Sequence, residues 1–354
     1  MTAPLKNRDI SLASAEPLAR RTVGVPATHQ HRLIHGPHRE HSSKSLRVMK
    51  FGGTSVGDAS SIVKVVDIVR AAARESDVAV VVSAMSGVTS KLVEAAAQSE
   101  TGNHRAVDVL LEELRRRHAA AANTLIHSSE KRQSVNCKMH ELLAAAGNLC
   151  EDAVLRRELT PGARDSIVGL GERLSILLVA AALTEQEVAC EAIEATELIV
   201  TDGCHGAAEP LLDLTRERCE ARLRPLLLRG IVPVVTGFIG ATVDGALTTL
   251  GRNSSDYSGT ILGAALDADE VTLWTDVDGI LTADPRIEPN ARPILEMSYR
   301  EACELAELGV KVLHPKTLRP IMQRGIPLLI RNTFAPDRPG TKITVAGARS
   351  GTRG

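Results

Sequence analysis

Leu46-Arg47-Val48-Met49-Lys50-Phe51-Gly52-Gly53-Thr54-Ser55 decides how the rest of this 354-residue chain is read. A short apolar run ends on a lysine and two glycines. Beyond Asp58 the apolar spacing changes to that of a helix, with Ile62, Val65, Val66 and Val69 on one face. A strand that turns directly into a helix is the first half of a βαβ unit, and the alternation recurs. Further strand-like runs lie at Val78–Ser83, Val188–Ile193, Ile231–Thr236, Glu270–Trp274 and Pro327–Arg331. Helical spacing separates them, from Leu214 to Leu228 and at Ala302, Leu305 and Leu308. This order predicts an α/β fold, a mostly parallel open sheet with helices on both faces. Residues 103–158 carry charge and helical pattern without a strand signal, so they predict a helical excursion beside the sheet. No internal repeat is present.

Open α/β sheets bind ligands beyond the carboxyl ends of their strands, and the chemically informative residues follow strands here. After the first strand, Lys50 supplies a cation, and Gly52 and Gly53 let backbone N–H groups approach an anion at a helix start. The Walker A spacing is missing, which disfavours an ordinary P-loop nucleotidase; a tight turn beside a solvated lysine is the bland alternative. The second strand leads into Ser83-Ala84-Met85-Ser86-Gly87-Val88-Thr89, and Glu172 follows Gly169-Leu170-Gly171 ahead of an apolar helix. Taken singly, Thr89 reads as an N-cap and Glu172 as a first-turn acid facing the helix dipole. Thr248-Thr249-Leu250-Gly251-Arg252-Asn253-Ser254-Ser255-Asp256-Tyr257-Ser258-Gly259 sets an arginine, able to hold a carboxylate with two bonds, before a small-residue helix. Trp274-Thr275-Asp276-Val277-Asp278-Gly279-Ile280-Leu281-Thr282-Ala283-Asp284-Pro285-Arg286 and Gly309-Val310-Lys311-Val312-Leu313-His314-Pro315 complete a set of two lysines and two arginines suited to phosphate.

Composition narrows the classes. With 42 Lys and Arg against 43 Asp and Glu, the net charge of −1 offers no global attraction to nucleic acid or acidic membranes, so any anion site must be local. The six cysteines contain no C-x-x-C pair and no secretory h-region precedes them, which predicts a reducing cytoplasm. No apolar run is expected to reach the roughly 20 residues of a membrane span.

Six motifs in order, KFGGTSVGD, S-A-x-x-G-x-T, G-E-x-x-S, TLGRxxSDYS, WTDVDGI-x-T-x-DPR and KVLHP, resemble the aspartate kinase branch of the amino acid kinase family over residues 46–340. The turn G-R-N-x-S-D-Y-S is especially similar to the kinase half of the bifunctional aspartokinase–homoserine dehydrogenases. The resemblance implies phosphorylation of the side-chain carboxylate of L-aspartate by ATP with Mg²⁺, on the way to lysine, threonine and methionine. It implies that Lys50, Phe51, Gly52 and Gly53 hold the phosphates, and that Thr275, Asp276, Leu281, Arg286, Lys311 and Val312 line the nucleotide site. Arg252 would clamp the α-carboxylate, Glu172 would face the α-amino group, and Ser83, Thr89 and Ser255 would complete the pocket. Lys50, Arg252 and Asp256 would form the catalytic group, with Asp256 organising the phosphate-binding cations. No protein metal ligand is implied, and a homodimer is. Two positions depart from the pattern: Leu281 where many members carry Tyr, and Ser254 where Gly is common, which would reshape the turn if φ there were positive. Relatives acting on glutamate, N-acetylglutamate, carbamate or UMP, and a catalytically silent homologue, are the competing readings.

Residues 1–45, with Pro4, Pro17, Pro26, Pro37 and five histidines between His29 and His41, lack apolar periodicity and are expected to be a disordered tail. Residues 341–354 are expected to be a second tail, leaving a catalytic domain at 46–340 without effector-binding modules. Removing residues 1–44 should therefore leave the midpoint of thermal unfolding within about 2 °C, since the segment has no apolar face to bury. A larger fall, measured by differential scanning calorimetry, would contradict that expectation.

Overall fold

In the computed structural model, residues 44–251, 254–283, 288, 290–307 and 313–347 are described. The expected N-terminal tail, up to residue 43, lies outside them. β1 (Leu46–Phe51) runs into α1 (Ala59–Glu75), whose start is set by Asp58. The Asp58 carboxylate accepts from the Ser61 N–H at 2.8 Å, and these local bonds hold its pKa below the usual range. β2 (Asp77–Val82) and α2 (Val88–Glu100) follow. The strand-free stretch is the expected excursion: α3 (His104–Leu125) and α4 (Ser129–Arg156), capped by Asn103 and Ser128. α5 (Pro161–Val168) and α6 (Leu170–Glu185) lead to β3 (Cys190–Ile193), β4 (Val200–Thr201) and α7 (Leu212–Leu228). β5 (Val232–Thr236), β6 (Ile239–Thr242) and β7 (Leu247–Thr249) precede α8 (Ser255–Ala265) and β8 (Glu270–Thr275). The described chain ends with β9 (Glu296–Ser298), α9 (Tyr299–Glu307), α10 (Pro315–Met322), β10 (Leu328–Asn332) and β11 (Thr341–Thr344).

Among the described residues the main sheet has eight strands in the order β3-β5-β2-β1-β8-β10-β11-β9. Every neighbouring pair is parallel except β10 and β11, so the predicted architecture holds. Alternation along the strands divides the core in two. Met49 and Phe51 of β1 and Val78, Val80 and Val82 of β2 join the excursion helices on one face. Leu46, Val48, Ala79 and Val81 pack with Ile261 and Leu262 of α8 and Leu223 of α7 on the other. Lys50 shares the parity of Leu46 and Val48, which directs it toward α8.

Two expectations need correction, and one feature went unpredicted. The sheet continues past residue 340: β11 pairs with β10 and β9, so the tail predicted from 341 begins one strand too early. Four residues, Thr341-Lys342-Ile343-Thr344, with a single apolar member, gave too short a signal. The small sheet β4-β6-β7, of strands two to four residues long, was likewise invisible as pattern. Finally, Pro161–Glu185 is long and apolar enough to cross a membrane by length and composition, with 25 residues and mean hydropathy 1.8. It forms two helices around Gly169, and 72% of its most apolar window is buried inside the fold, the state expected of a helix apolar all round.

His118 on α3 is fully buried; its Nδ1 meets the Leu114 carbonyl at 2.7 Å and its Nε2 has no partner. Burial pushes its pKa down to about 4. Between about pH 6.5 and 4 the unfolded chain takes a proton that the folded chain refuses, so stability falls on acidification across that window. His118→Leu should remove up to ~3 kcal/mol of the loss in stability between pH 7 and 4, read from urea unfolding of both proteins at each pH. Parallel pH profiles would show that the imidazole does not titrate this way.

Candidate active site

β1 is where the strand order turns: the chain leaves it for β2 on one side, while β8 arrives much later on the other. The crevice at such a switch point lies beyond the carboxyl ends of these strands. The Gly52 N–H donates to the Trp274 carbonyl at 3.0 Å, joining the exits of β1 and β8. The buried Ser55 hydroxyl reaches the same carbonyl at 3.3 Å and shares a 2.7 Å hydrogen bond with Thr333. Gly53 faces the β2 exit, where a Cβ would lie 3.1 Å from the Ala84 carbonyl.

Lys50 is 6% exposed, and its ammonium lies 2.5 Å from Asp256 Oδ1 in the first turn of α8. The pairing depends on how closely α8 packs on β1. A Cβ on Gly259 would come within 3.0 Å of Lys50 Cβ, so a larger residue there would push the helix away. At the other end of the turn, Ser255 sits against β5's exit, with its Cβ 2.9 Å from where a Gly237 Cβ would be. Ser254 takes φ −91°, and its hydroxyl donates to the Gly251 carbonyl at 2.5 Å. The substitution for glycine therefore costs no backbone strain and adds a bond across the turn.

Glu172, in the first turn of α6, is 3% exposed, and its Oε2 has no partner. Burial pushes its carboxyl up to about 8, against the opposing effects of the Ala84 and Glu172 backbone N–H groups and the Lys50 charge. α6 is brought there by Gly171, whose Cβ would stand 2.6 Å from Ala84 Cβ. Ser83, 7% exposed, donates its N–H to the Phe51 carbonyl at 3.1 Å. Thr89 is not the N-cap: Gly87 caps α2 at φ 78° without a side-chain bond, and Thr89 lies half-buried in the first turn. Neither α2 nor α8 has a side-chain cap bond, and the first N–H of α2, that of Val88, turns back to the Met85 carbonyl at 2.9 Å.

The structure thus gathers Lys50, Gly52, Gly53, Ser83, Glu172, Ser255 and Asp256 around the exits of β1, β2 and β5. Thr275 and Asp276 continue β8, linked by a 3.2 Å bond from the Thr275 hydroxyl to Asp276 Oδ1. Phe51 is different: fully buried, its ring stacks on Trp274 at 5.9 Å, so it is a wall of the core and offers a ligand only its backbone. Leu281 is half-buried and bridges to Pro293. Arg252, Arg286, Lys311 and Val312 lie outside the described residues. A groove of about 590 Å³ between α3 and α4, lined by Arg115, Arg132, Asn136, Met139 and Leu143, contains none of the expected site residues. It lacks the converging strand ends and buried charges of the crevice. Sequence reading missed Ser55, Thr333 and Asp165, single polar residues within otherwise unremarkable text.

A parallel sheet whose switch point carries a buried lysine, paired glycines and helix starts without side-chain caps defines a protein of phosphate chemistry. Sequence comparison narrows the class: a model of the amino acid kinase family matches residues 45–332, and the chain belongs to that family. It is 36% identical over 296 residues to lysine-sensitive aspartokinase 3 of Escherichia coli strain K12, covering 84% of this chain and 63% of that protein. It is 34% identical over 311 residues to chloroplastic aspartokinase 3 of Arabidopsis thaliana, covering 84% of this chain and 52% of that one. The solved structure of E. coli aspartokinase III in complex with aspartate and ADP superposes with a TM-score of 0.78 at 35% identity, over 85% of this chain and 64% of that one. The chain therefore spans less than two thirds of the length of these relatives.

The raised pKa of Glu172 has a sign that can be checked. The folded, ligand-free protein holds this proton more tightly than the unfolded chain, so the associated stability is full below about pH 4.5 and lost as pH rises through about 8. Glu172→Gln should be insensitive over that range, so its stability relative to wild type should rise from pH 5 to 9, measured by thermal unfolding. A constant difference would mean that Glu172 does not titrate there.

Proposed function

We propose that this chain transfers the γ-phosphoryl group of ATP to the side-chain carboxylate of L-aspartate, a step towards lysine, threonine and methionine. Glu172 carries the proposal. A buried carboxyl group with one oxygen unpartnered serves no packing purpose and calls for a cation. An amino acid's α-ammonium is a cation of the right kind, and it would favour the ionised carboxylate. The bound aspartate and ADP named for the E. coli relative agree with this chemistry.

In this reading Arg252 holds the α-carboxylate, and Ser83, Thr89 and Ser255 line the rest of the amino-acid pocket. Lys50, with the backbone of Phe51, Gly52 and Gly53, faces the β- and γ-phosphates, and Asp256 keeps the Lys50 ammonium aimed at them. Thr275, Asp276, Leu281, Arg286, Lys311 and Val312 belong to the nucleotide side. Magnesium ATP, when bound, supplies the phosphoryl group and a cation that neutralises it. The N–H groups of Gly53 and Thr54 and the start of α8 suit an anion of that size. The substrate carboxylate is already ionised near pH 7, so the protein needs no general base and acts by alignment and charge. Six free cysteines support a cytoplasmic setting. A homodimer through a helical face belongs to the same proposal.

The decisive experiment is an aspartyl-hydroxamate assay with ATP and Mg²⁺, with glutamate as competitor substrate. Aspartate should be turned over and glutamate should not. Lys50→Ala should lower kcat by about a hundredfold or more while the protein stays folded. Turnover of glutamate alone, or a Lys50 variant within about threefold of wild type, would refute the assignment.

A further inference from the structure

The Asp165 carboxylate accepts four hydrogen bonds, yet the proposed chemistry leaves it unused. It lies on α5, 3% exposed. Its Oδ2 accepts from His205 Nδ1 at 2.8 Å, the Gly206 N–H at 3.0 Å and the Thr249 N–H at 3.1 Å; Oδ1 accepts from the Thr249 hydroxyl at 2.7 Å. One side chain thereby joins three segments distant in sequence: α5, the loop after β4, and the end of β7.

Two of these segments, α5 and the end of β7, lead into the amino-acid pocket. From Asp165 the chain passes Gly169, whose N–H bonds the Asp165 carbonyl at 2.8 Å, and reaches Glu172 within the first turn of α6. From Thr249 it reaches Gly251, Arg252 and the start of α8. The Thr249 carbonyl also accepts from the Ala208 N–H at 2.9 Å, closing the loop onto the same strand. The α5–α6 junction cannot slide along the small sheet, because a Gly169 Cβ would meet Ile239 Cγ2 of β6 at 2.7 Å. Asp165 thus stands between α6, which carries Glu172, and the end of β7, which leads through Gly251 to the start of α8. Bulk stability does not require a charge here, since a buried carboxylate is usually no better for stability than well-packed apolar atoms.

We infer that Asp165, through Thr249 and the His205–Gly206 loop, is a positioning residue that sets the separation between Glu172 on α6 and the Ser254–Ser255 start of α8, two described parts of the amino-acid pocket. This rests on the aspartate-kinase reading above. Errors of about 1 Å in such a separation are costly when a zwitterion is held at both ends. The clamp should therefore govern aspartate and leave the nucleotide side, built on β1 and β8, alone.

The test is steady-state kinetics with both substrates varied, alongside thermal unfolding. Asp165→Ala should raise the KM for aspartate about tenfold or more while the KM for ATP stays within about twofold. Asp165→Asn, which can still accept from the backbone donors and donate to the Thr249 hydroxyl, should recover most of that loss. Thr249→Val, which removes only the hydroxyl bond, should raise the aspartate KM about threefold, and Thr249→Ser should restore it. If Asp165→Ala does not fold, the Thr249 pair decides. An aspartate KM unchanged in a folded Asp165→Ala or in Thr249→Val, or a parallel rise in both KM values, overturns the positioning role. Wild-type protein that neither binds nor phosphorylates aspartate instead overturns the reading on which it rests.

Discussion

An ammonium group cannot be buried in this sheet without a partner, and Lys50 is buried. β1 is covered on both faces, and strict alternation sends Lys50 to the side of α8 rather than to the side of Phe51. The position needs an anion within reach, which Asp256 supplies from the first turn of α8. That contact dictates how near α8 must lie, hence the absence of a side chain at Gly259 and the run of small buried residues along that helix. The placement of α8 in turn fixes Ser255 beside β5 and orients the turn between β7 and the helix. One buried charge accounts for much of the geometry on that side of the crevice.

Across the crevice the electrostatics are reversed. Glu172 is as buried as Lys50, but one of its oxygens is unsatisfied, and burial pushes its carboxyl pKa up to about 8. The crevice thus sets a satisfied ion pair at Lys50 and Asp256 opposite a carboxyl with one unpartnered oxygen at Glu172. The cost of burying Glu172 is borne by α6, which is apolar around almost its whole circumference and is roofed by α3 and α4. This explains why a soluble-looking α/β chain contains a segment with the composition of a membrane span.

The family match over residues 45–332 spans the excursion, the crevice and every strand of the main sheet except β11. The clamp at Asp165 adds something that likeness of motif does not display. It draws on a helix, a loop and a strand end, and its effect is on distance between groups rather than on their identity.

By itself, the sequence determined the α/β class, the parallel order of the long strands, the helical excursion and the family, because buried strands and amphipathic helices write periodicities that need no tertiary information. It also marked Lys50, the two glycines and the Arg252 turn, because each lies at the carboxyl end of a strand, where such folds bind their ligands, and it marked Glu172 through the G-E-x-x-S motif. Tertiary structure alone decided that Phe51 faces the core, that Gly87 and not Thr89 begins α2, that Ser254 fits its turn, and that Thr341–Thr344 extends the sheet. It alone joined Asp165 to Thr249 and His205. The physical reason is common to all of these: local pattern records which face of an element is apolar, whereas a polar residue's partner, and the protonation state that follows from it, is set by whatever distant segment packs against it.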